Sequence, residues 1–205
     1  RYPKILVLEC GVEYPNDMVK FLEFIKPKVG IITAIGDIPS HIEFFDNPEA
    51  VAREKGKLIE NLSSNGFVVL NFDDEIVMSL KEKTRAQIKT FGFNEFLEKK
   101  PDIKISNFEN KIEDGKPVGI SFKIESGGNF IPFAFKNIFG KSHAYAVAVG
   151  MAIGFIFDLN LVETAESILK NYNPAKGRMN LTAGNKGVYI IDDTYNASPI
   201  SMKLA

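Results

Sequence analysis

Between residues 4 and 92 the chain alternates short apolar runs with segments of helical period, and that alternation restricts it to few folds. The runs KILVLEC, VGIITAI, FVVLN and QIKTFGF have strand length and give way to polar or turn residues. Between them, NDMVKFLEFIK, NPEAVAREKGKLIENL and DEIVMSLKEK space apolar residues three and four apart. Strands joined through helices run parallel, because only a crossover returns the chain to the same edge in the same direction. The chain is therefore expected to be α/β, with parallel strands near 4–9, 29–35, 67–71 and 87–91.

The pattern changes after residue 101. DIKISNFENKIEDGKPVGISFKIESGGNFIPFAF alternates with period two and is broken at Asp114-Gly115 and Gly127-Gly128, which predicts an antiparallel meander over 102–136, expected as a separate small sheet. Two helices follow, KSHAYAVAVGMAIGFIF and LVETAESILKNY, the second with Asn160 as N-cap, until Asn173-Pro174 breaks the pattern. GVYIIDDT then opens a new strand, so 1–176 is expected to form one domain and 177–205 the beginning of another. Gly140-Lys141-Ser142 has the strand-to-helix setting of a phosphate-binding loop, but Phe135 stands where the first glycine of such a loop would be, and the segment is read as a helix start.

Composition excludes several classes. A formal charge of -1 and the lack of a basic stripe argue against a nucleic-acid or anionic-lipid surface. The single cysteine, Cys10, permits no intramolecular disulfide and fits a reducing compartment, and no apolar run approaches the ~20 residues of a membrane span. The opening RYPKILVLEC has no initiator Met and no signal-peptide pattern, as expected of an excised piece of a cytoplasmic protein.

Some residues invite a chemical role. Glu9 closes the first apolar run, where a carboxylate suits a hard cation such as Mg²⁺ and equally a solvated loop. His41 lies in the loop GDIPSHIEFF, open to ligation or to plain solvation, and Lys55 in AREKGKLIE has the look of an ordinary helix-surface lysine. IIDDTYNASPISMK ends an apolar run in Asp192-Asp193, then turns through Asn196 to Pro199, so polar groups collect at a strand's C-terminal end, where open α/β sheets bind ligands.

Taken in order, LECG, VGIITAIGDIPSHIEFF, AREKGKLIE, VVLNFDDE, TFGF, KGRMN and IIDDTYNASPISMK resemble the Mur ligase family over nearly the whole chain. Within it the match is closest to members that join D-alanyl-D-alanine to UDP-N-acetylmuramoyl-tripeptide in peptidoglycan synthesis. The resemblance implies a mostly parallel, helix-flanked central domain with a small antiparallel sheet, followed by the start of a C-terminal α/β domain. It implies ATP and Mg²⁺ as cofactors, and a monomeric enzyme when complete. Glu9, His41 and a carbamylated Lys55 would be catalytic groups that hold the metal. Arg178, Asp193, Tyr195 and Asn196 would contact the nucleotide, and His143 occupies a helix-start position that usually does so. The phosphate-binding loop and the UDP-binding domain would lie upstream of Arg1, and most of the C-terminal domain beyond Ala205, so this stretch alone is expected to be inactive.

The sequence also departs from the family pattern. Ungapped against the helix start G-x-H-N-x-x-N, Ser142 stands at the histidine, His143 at the first asparagine and Ala146 at the second. Ala34 replaces an asparagine that commonly follows threonine, and Lys57 a glutamate that commonly follows Lys-Gly. Two other readings stay open: an amide ligase of the same fold, of the folylpolyglutamate or cyanophycin synthetase type, and a non-catalytic binding module.

Overall fold

Six strands form one sheet in the order β1 (Val29–Ile32), β2 (Phe67–Asn71), β3 (Gln87–Gly92), β4 (Ile103–Glu113), β5 (Lys116–Ser126) and β6 (Asn129–Lys136). The computed structural model describes residues 3–93, 99–197 and 201–202. β1, β2, β3 and β4 pair in parallel, whereas β4, β5 and β6 pair antiparallel. The expected meander is therefore present, but it is not a separate sheet. Phe91 pairs with Ile103 and Gly92 with Lys104, and these two positions splice it onto the parallel half. A backbone pattern of period two specifies a strand without specifying its neighbour. The separate small sheet is instead the hairpin of β7 (Asn180–Ala183) and β8 (Tyr189–Asp192).

Alternation along β2 explains how both faces are covered. Val68 and Leu70 point to one side, where Ala52 and Ile59 of α2 (Pro48–Glu60) and Val77 of α3 (Glu75–Ser79) complete a core with them. Val69 points to the other side and joins Phe91, Ile103 and Ile120 beneath α4 (Lys141–Ile156). α4 presents Ala144, Val147, Ala148, Met151 and Ala152, and such small side chains bring the helix axis close to the sheet. α5 (Leu161–Asn171) starts at Asn160, whose side chain accepts from the N–H groups of Val162 and Glu163, as its sequence indicates. α1 (Asp17–Phe24) leans on α2 through Met18.

The strand expected at 4–9 does not form. Ile5, Leu6, Val7 and Leu8 are 51–85% exposed, and β1 is the outer strand of the sheet. Apolar, strand-prone residues become a strand only against a partner edge, and among the described residues nothing pairs with this segment.

Candidate functional site

The carboxyl end of the parallel strands is organised by two adjacent aspartates, Asp73 and Asp74, which follow β2. Asp74 caps α3 by accepting the Val77 N–H at 2.9 Å through Oδ1. Its Oδ2 accepts the N–H groups of Ile35 at 2.7 Å and Gly36 at 2.9 Å, which fixes the loop leaving β1. One carboxylate thus serves three backbone donors. Asp73 turns the other way: Oδ2 accepts the Phe93 N–H at 2.6 Å and the Tyr145 hydroxyl at 2.8 Å, joining β3 to α4.

Lys55 stands on α2, partly buried. Burial pushes its ammonium below the usual lysine range, and the negative charge of Asp74 opposes that shift. His41 is exposed at φ 63°, at the start of a single 3₁₀ turn, Ile42–Phe44. Glu9 is exposed in the extended segment that forms no strand. Among the described residues, no three His, Cys, Asp or Glu side chains gather as a metal site. Of the donors expected for Mg²⁺, the carboxylate, and a carbamate oxygen were Lys55 carbamylated, suit a hard cation, the imidazole suits it less well, and the amine itself is a cation that repels metal.

Lys57, the departure after Lys55-Gly56, has a local explanation. Glu54 is 4% exposed and accepts from Lys57 Nζ at 2.6 Å and from the Met18 N–H at 3.0 Å. A buried carboxylate needs a cation and a donor, and Lys57 supplies the first.

A second site lies where α4 begins. A pocket of 320 Å³ is lined by His143, Tyr172, Arg178, Asp193 and Asn196, and by Gly140 and Ser142. Four of the five residues expected to contact the nucleotide therefore meet in one cavity. The fifth, Tyr195, carries the Arg178 guanidinium on its ring face at 4.0 Å. The turn that makes this possible is tight. Gly177 has φ +73°, its carbonyl accepts the Tyr195 N–H at 3.0 Å, and a β-carbon on it would meet that nitrogen at 2.8 Å. Asp193 Oδ1 accepts the Met179 N–H at 3.2 Å, so this carboxylate braces the arginine-bearing segment. Met179 itself is at φ 50°, a conformation that costs a non-glycine residue energy and that the surrounding bonds impose.

His143 is 3% exposed, and both of its ring nitrogens are engaged. Nε2 faces the Arg178 carbonyl at 3.1 Å and Nδ1 faces the Tyr172 hydroxyl at 2.8 Å. A carbonyl only accepts, so Nε2 carries the hydrogen and Nδ1 accepts from the tyrosine. Burial lowers the pKa of this imidazole, against the Arg178 carbonyl and the Asp193 charge, which raise it; burial also pushes the Tyr172 hydroxyl up to about 12. His143 thus forms part of the pocket wall while its polar atoms bind protein. The helix-start reading of Gly140-Lys141-Ser142 also holds. Gly140 precedes α4 at φ +88°, and Lys141 places its ammonium 4.8 Å from the Phe93 ring centre.

Tyr172, Asp73 and Asp74 were not singled out individually by sequence reasoning. The Asp-Glu start of an apolar helical pattern signals Asp74 as a cap, but its bonds to Ile35 and Gly36 span nearly forty residues and leave no local trace.

An open, largely parallel sheet with helices on both faces and polar groups collected at its strand ends defines a ligand-binding α/β domain. The model of the Mur ligase middle domain matches residues 2–153, and the chain belongs to that family. It is 28% identical over 98% of its length to the UDP-N-acetylmuramoyl-tripeptide--D-alanyl-D-alanine ligase of Bacillus subtilis, covering 40% of that protein. It is 30% identical over 98% of its length to the enzyme of the same name from Buchnera aphidicola, covering 41% of it. Among solved structures it is similar to MurF from Acinetobacter baumannii, with a TM-score of 0.75 at 20% identity over 95% of this chain and 40% of that one. It also resembles MurF ligase from Thermotoga maritima in complex with ADP, with a TM-score of 0.74 at 20% identity over 94% and 41%. The chain spans about two-fifths of the length of these relatives.

Proposed function

We propose that this chain is the nucleotide-handling part of an ATP-dependent ligase that joins D-alanyl-D-alanine to UDP-N-acetylmuramoyl-tripeptide in the cytoplasm, as a monomer. The observation that carries the reading is the convergence of Arg178, Asp193 and Asn196 on one pocket, with Tyr195 stacked on the Arg178 guanidinium. The named relatives support the choice of substrates. A domain boundary near residue 176 would place Arg178 and Asp193 in the part that follows it, with residues 179–181 bonded back to the strap before α4.

In the reaction, a carboxylate oxygen of the tripeptide attacks the γ-phosphorus of ATP, the bond to the bridging oxygen breaks, and ADP leaves. The resulting acyl phosphate is attacked by the amine of D-alanyl-D-alanine; the amide forms as inorganic phosphate and a proton depart. Such transfers depend on alignment and charge neutralisation more than on covalent help from the protein. Arg178 would offset phosphate charge, and its stack on Tyr195 would limit the directions it can take. The lowered basicity of Lys55 leaves more of its amine neutral, the form that reacts with CO₂. Glu9, His41 and the Lys55 carbamate would hold Mg²⁺, which when bound would supply positive charge to offset the anionic reactants.

The test is ADP release by the intact protein with both substrates present. Release that requires both substrates is expected. Release driven instead by a folate and glutamate would favour the related amide ligases, and no ADP release under any of these conditions would favour a binding module.

A further inference from the structure

We infer that His143 is a positioning residue for the nucleotide pocket: its neutral ring bridges the Tyr172 hydroxyl and the Arg178 carbonyl, and so fixes the backbone from which the Arg178 side chain enters the site. The inference rests on the nucleotide reading proposed above and adds to it the group that aims the arginine.

Three elements meet at this imidazole. His143 belongs to the first turn of α4, Tyr172 follows α5, and Arg178 lies in the segment leading to β7. The Tyr172 ring is held edge-on by Phe135 at 5.3 Å and by the His143 ring at 5.8 Å, so the hydroxyl that donates to Nδ1 comes from an immobilised side chain. Its other ring nitrogen reaches the Arg178 carbonyl. Immediately beyond, the Phe139 N–H donates to the Met179 carbonyl at 2.9 Å and the Leu181 N–H to the Asn137 carbonyl at 2.8 Å. Those backbone bonds hold residues 179–181 to the strap before α4, but they do not reach Arg178. The Arg178 N–H is bonded to Asn180 Oδ1 at 3.0 Å, a contact within the segment itself. The bond from His143 therefore links the arginine's own peptide to the main sheet domain, three residues after the Gly140 turn.

Geometry explains why this position takes an imidazole. Nδ1 meets the Tyr172 hydroxyl and Nε2 the Arg178 carbonyl, and a neutral imidazole offers the one acceptor and one donor that serve both. His143 acts through Arg178, since both of its ring nitrogens are engaged by protein groups.

The experiment compares ADP binding by the intact protein and by His143→Phe, Tyr172→Phe, Arg178→Ala and the His143→Phe/Arg178→Ala double variant. His143→Phe should weaken ADP about tenfold, and Tyr172→Phe, which loses one hydroxyl and is the milder test if the first variant folds poorly, about threefold. In the Arg178→Ala background, the His143→Phe change should cost less than about twofold more, because the group it aims is gone. NMR of the histidine ring nitrogens should show the Nε2–H tautomer. Equal losses in both backgrounds, an unchanged affinity in a folded His143→Phe, or the Nδ1–H tautomer would each overturn the inference. If the wild-type protein binds no ADP, the nucleotide reading falls and takes this inference with it; binding by wild type with unchanged binding by His143→Phe overturns the inference alone.

Discussion

Asp73 lies directly against Gly92: a β-carbon built on the glycine would stand 2.7 Å from Oδ2 and 2.8 Å from Cγ of the carboxylate. The glycine of the TFG sequence is therefore a requirement of close approach. Its neighbour's N–H and the Tyr145 hydroxyl hold that carboxylate in place, so it cannot swing aside. Gly92→Ala should destabilise the protein by about 1–3 kcal/mol, the range for overpacking. Urea unfolding would measure it, and Asp73→Ala should recover part of the loss in the double variant.

Removal of the Asp74 carboxylate strips three backbone donors at once. Loss of the cap costs about 1 kcal/mol, and N–H groups left without a partner add about 1–3 kcal/mol. Asp74→Ala should accordingly lose about 2–4 kcal/mol in urea unfolding, whereas Asp74→Asn, which keeps an acceptor, should lose less. Hydrogen exchange should rise first at the amides of Ile35, Gly36 and Val77.

The buried imidazole makes stability depend on pH with a definite sign. The pKa of His143 is lowered in the folded protein, so below 6.5 the unfolded chain binds the extra proton. The stability it confers is whole above that value and is lost as pH falls through it toward the lowered folded pKa. The groups facing the ring are the Tyr172 hydroxyl, the Arg178 carbonyl and the Asp193 carboxylate, and the tyrosine at about 12 stays protonated throughout. The gap in thermal midpoint between wild type and His143→Phe should therefore narrow from about pH 7.5 to about pH 5.5. A gap independent of pH would show that the ring is not held neutral.

Turnover of the intact protein should fall strongly in Lys55→Ala, and bicarbonate should not restore it, because alanine offers no amine for CO₂. A short carboxylic acid should restore part of the activity by occupying the vacated anion position. Near-normal turnover of Lys55→Ala without additives would return Lys55 to the role of a helix-surface lysine.

Much of the fold is legible in the sequence because it is local. The runs at 29–35, 67–71 and 87–91 become β1, β2 and β3, and Asn160 caps α5, since hydrophobic period and capping chemistry act within a few residues. The segment at 4–9 has the same local signal and forms no strand, because pairing depends on a neighbour that composition does not reveal. Attachment of the meander to β3 rests on two paired positions and is equally invisible. In the candidate site, Arg178, Asp193, Tyr195 and Asn196 were legible through their motifs; three of them line one pocket and Tyr195 stacks on Arg178. Their supports were not: Tyr172 reaches His143 across twenty-nine positions, and Tyr145 reaches Asp73 across seventy-two.

The splice at β3 and β4 also orders the way the chain can assemble. On one side, β5 pairs with β6 across the Gly127-Gly128 turn and with β4 across Asp114-Gly115, so the ends of each hairpin meet after closing a very short loop. On the other, Val29 must find Phe67 and Phe67 must find Gln87, each across a helix. Closing a longer loop costs more chain entropy before any contact rewards it. In pulse-labelled refolding, amides of Ile120, Phe122 and Ile124 should thus acquire protection ahead of those of Val68 and Leu70. The antiparallel half then offers β4 as the ready-made edge on which β3, and after it the rest of the parallel half, is laid down.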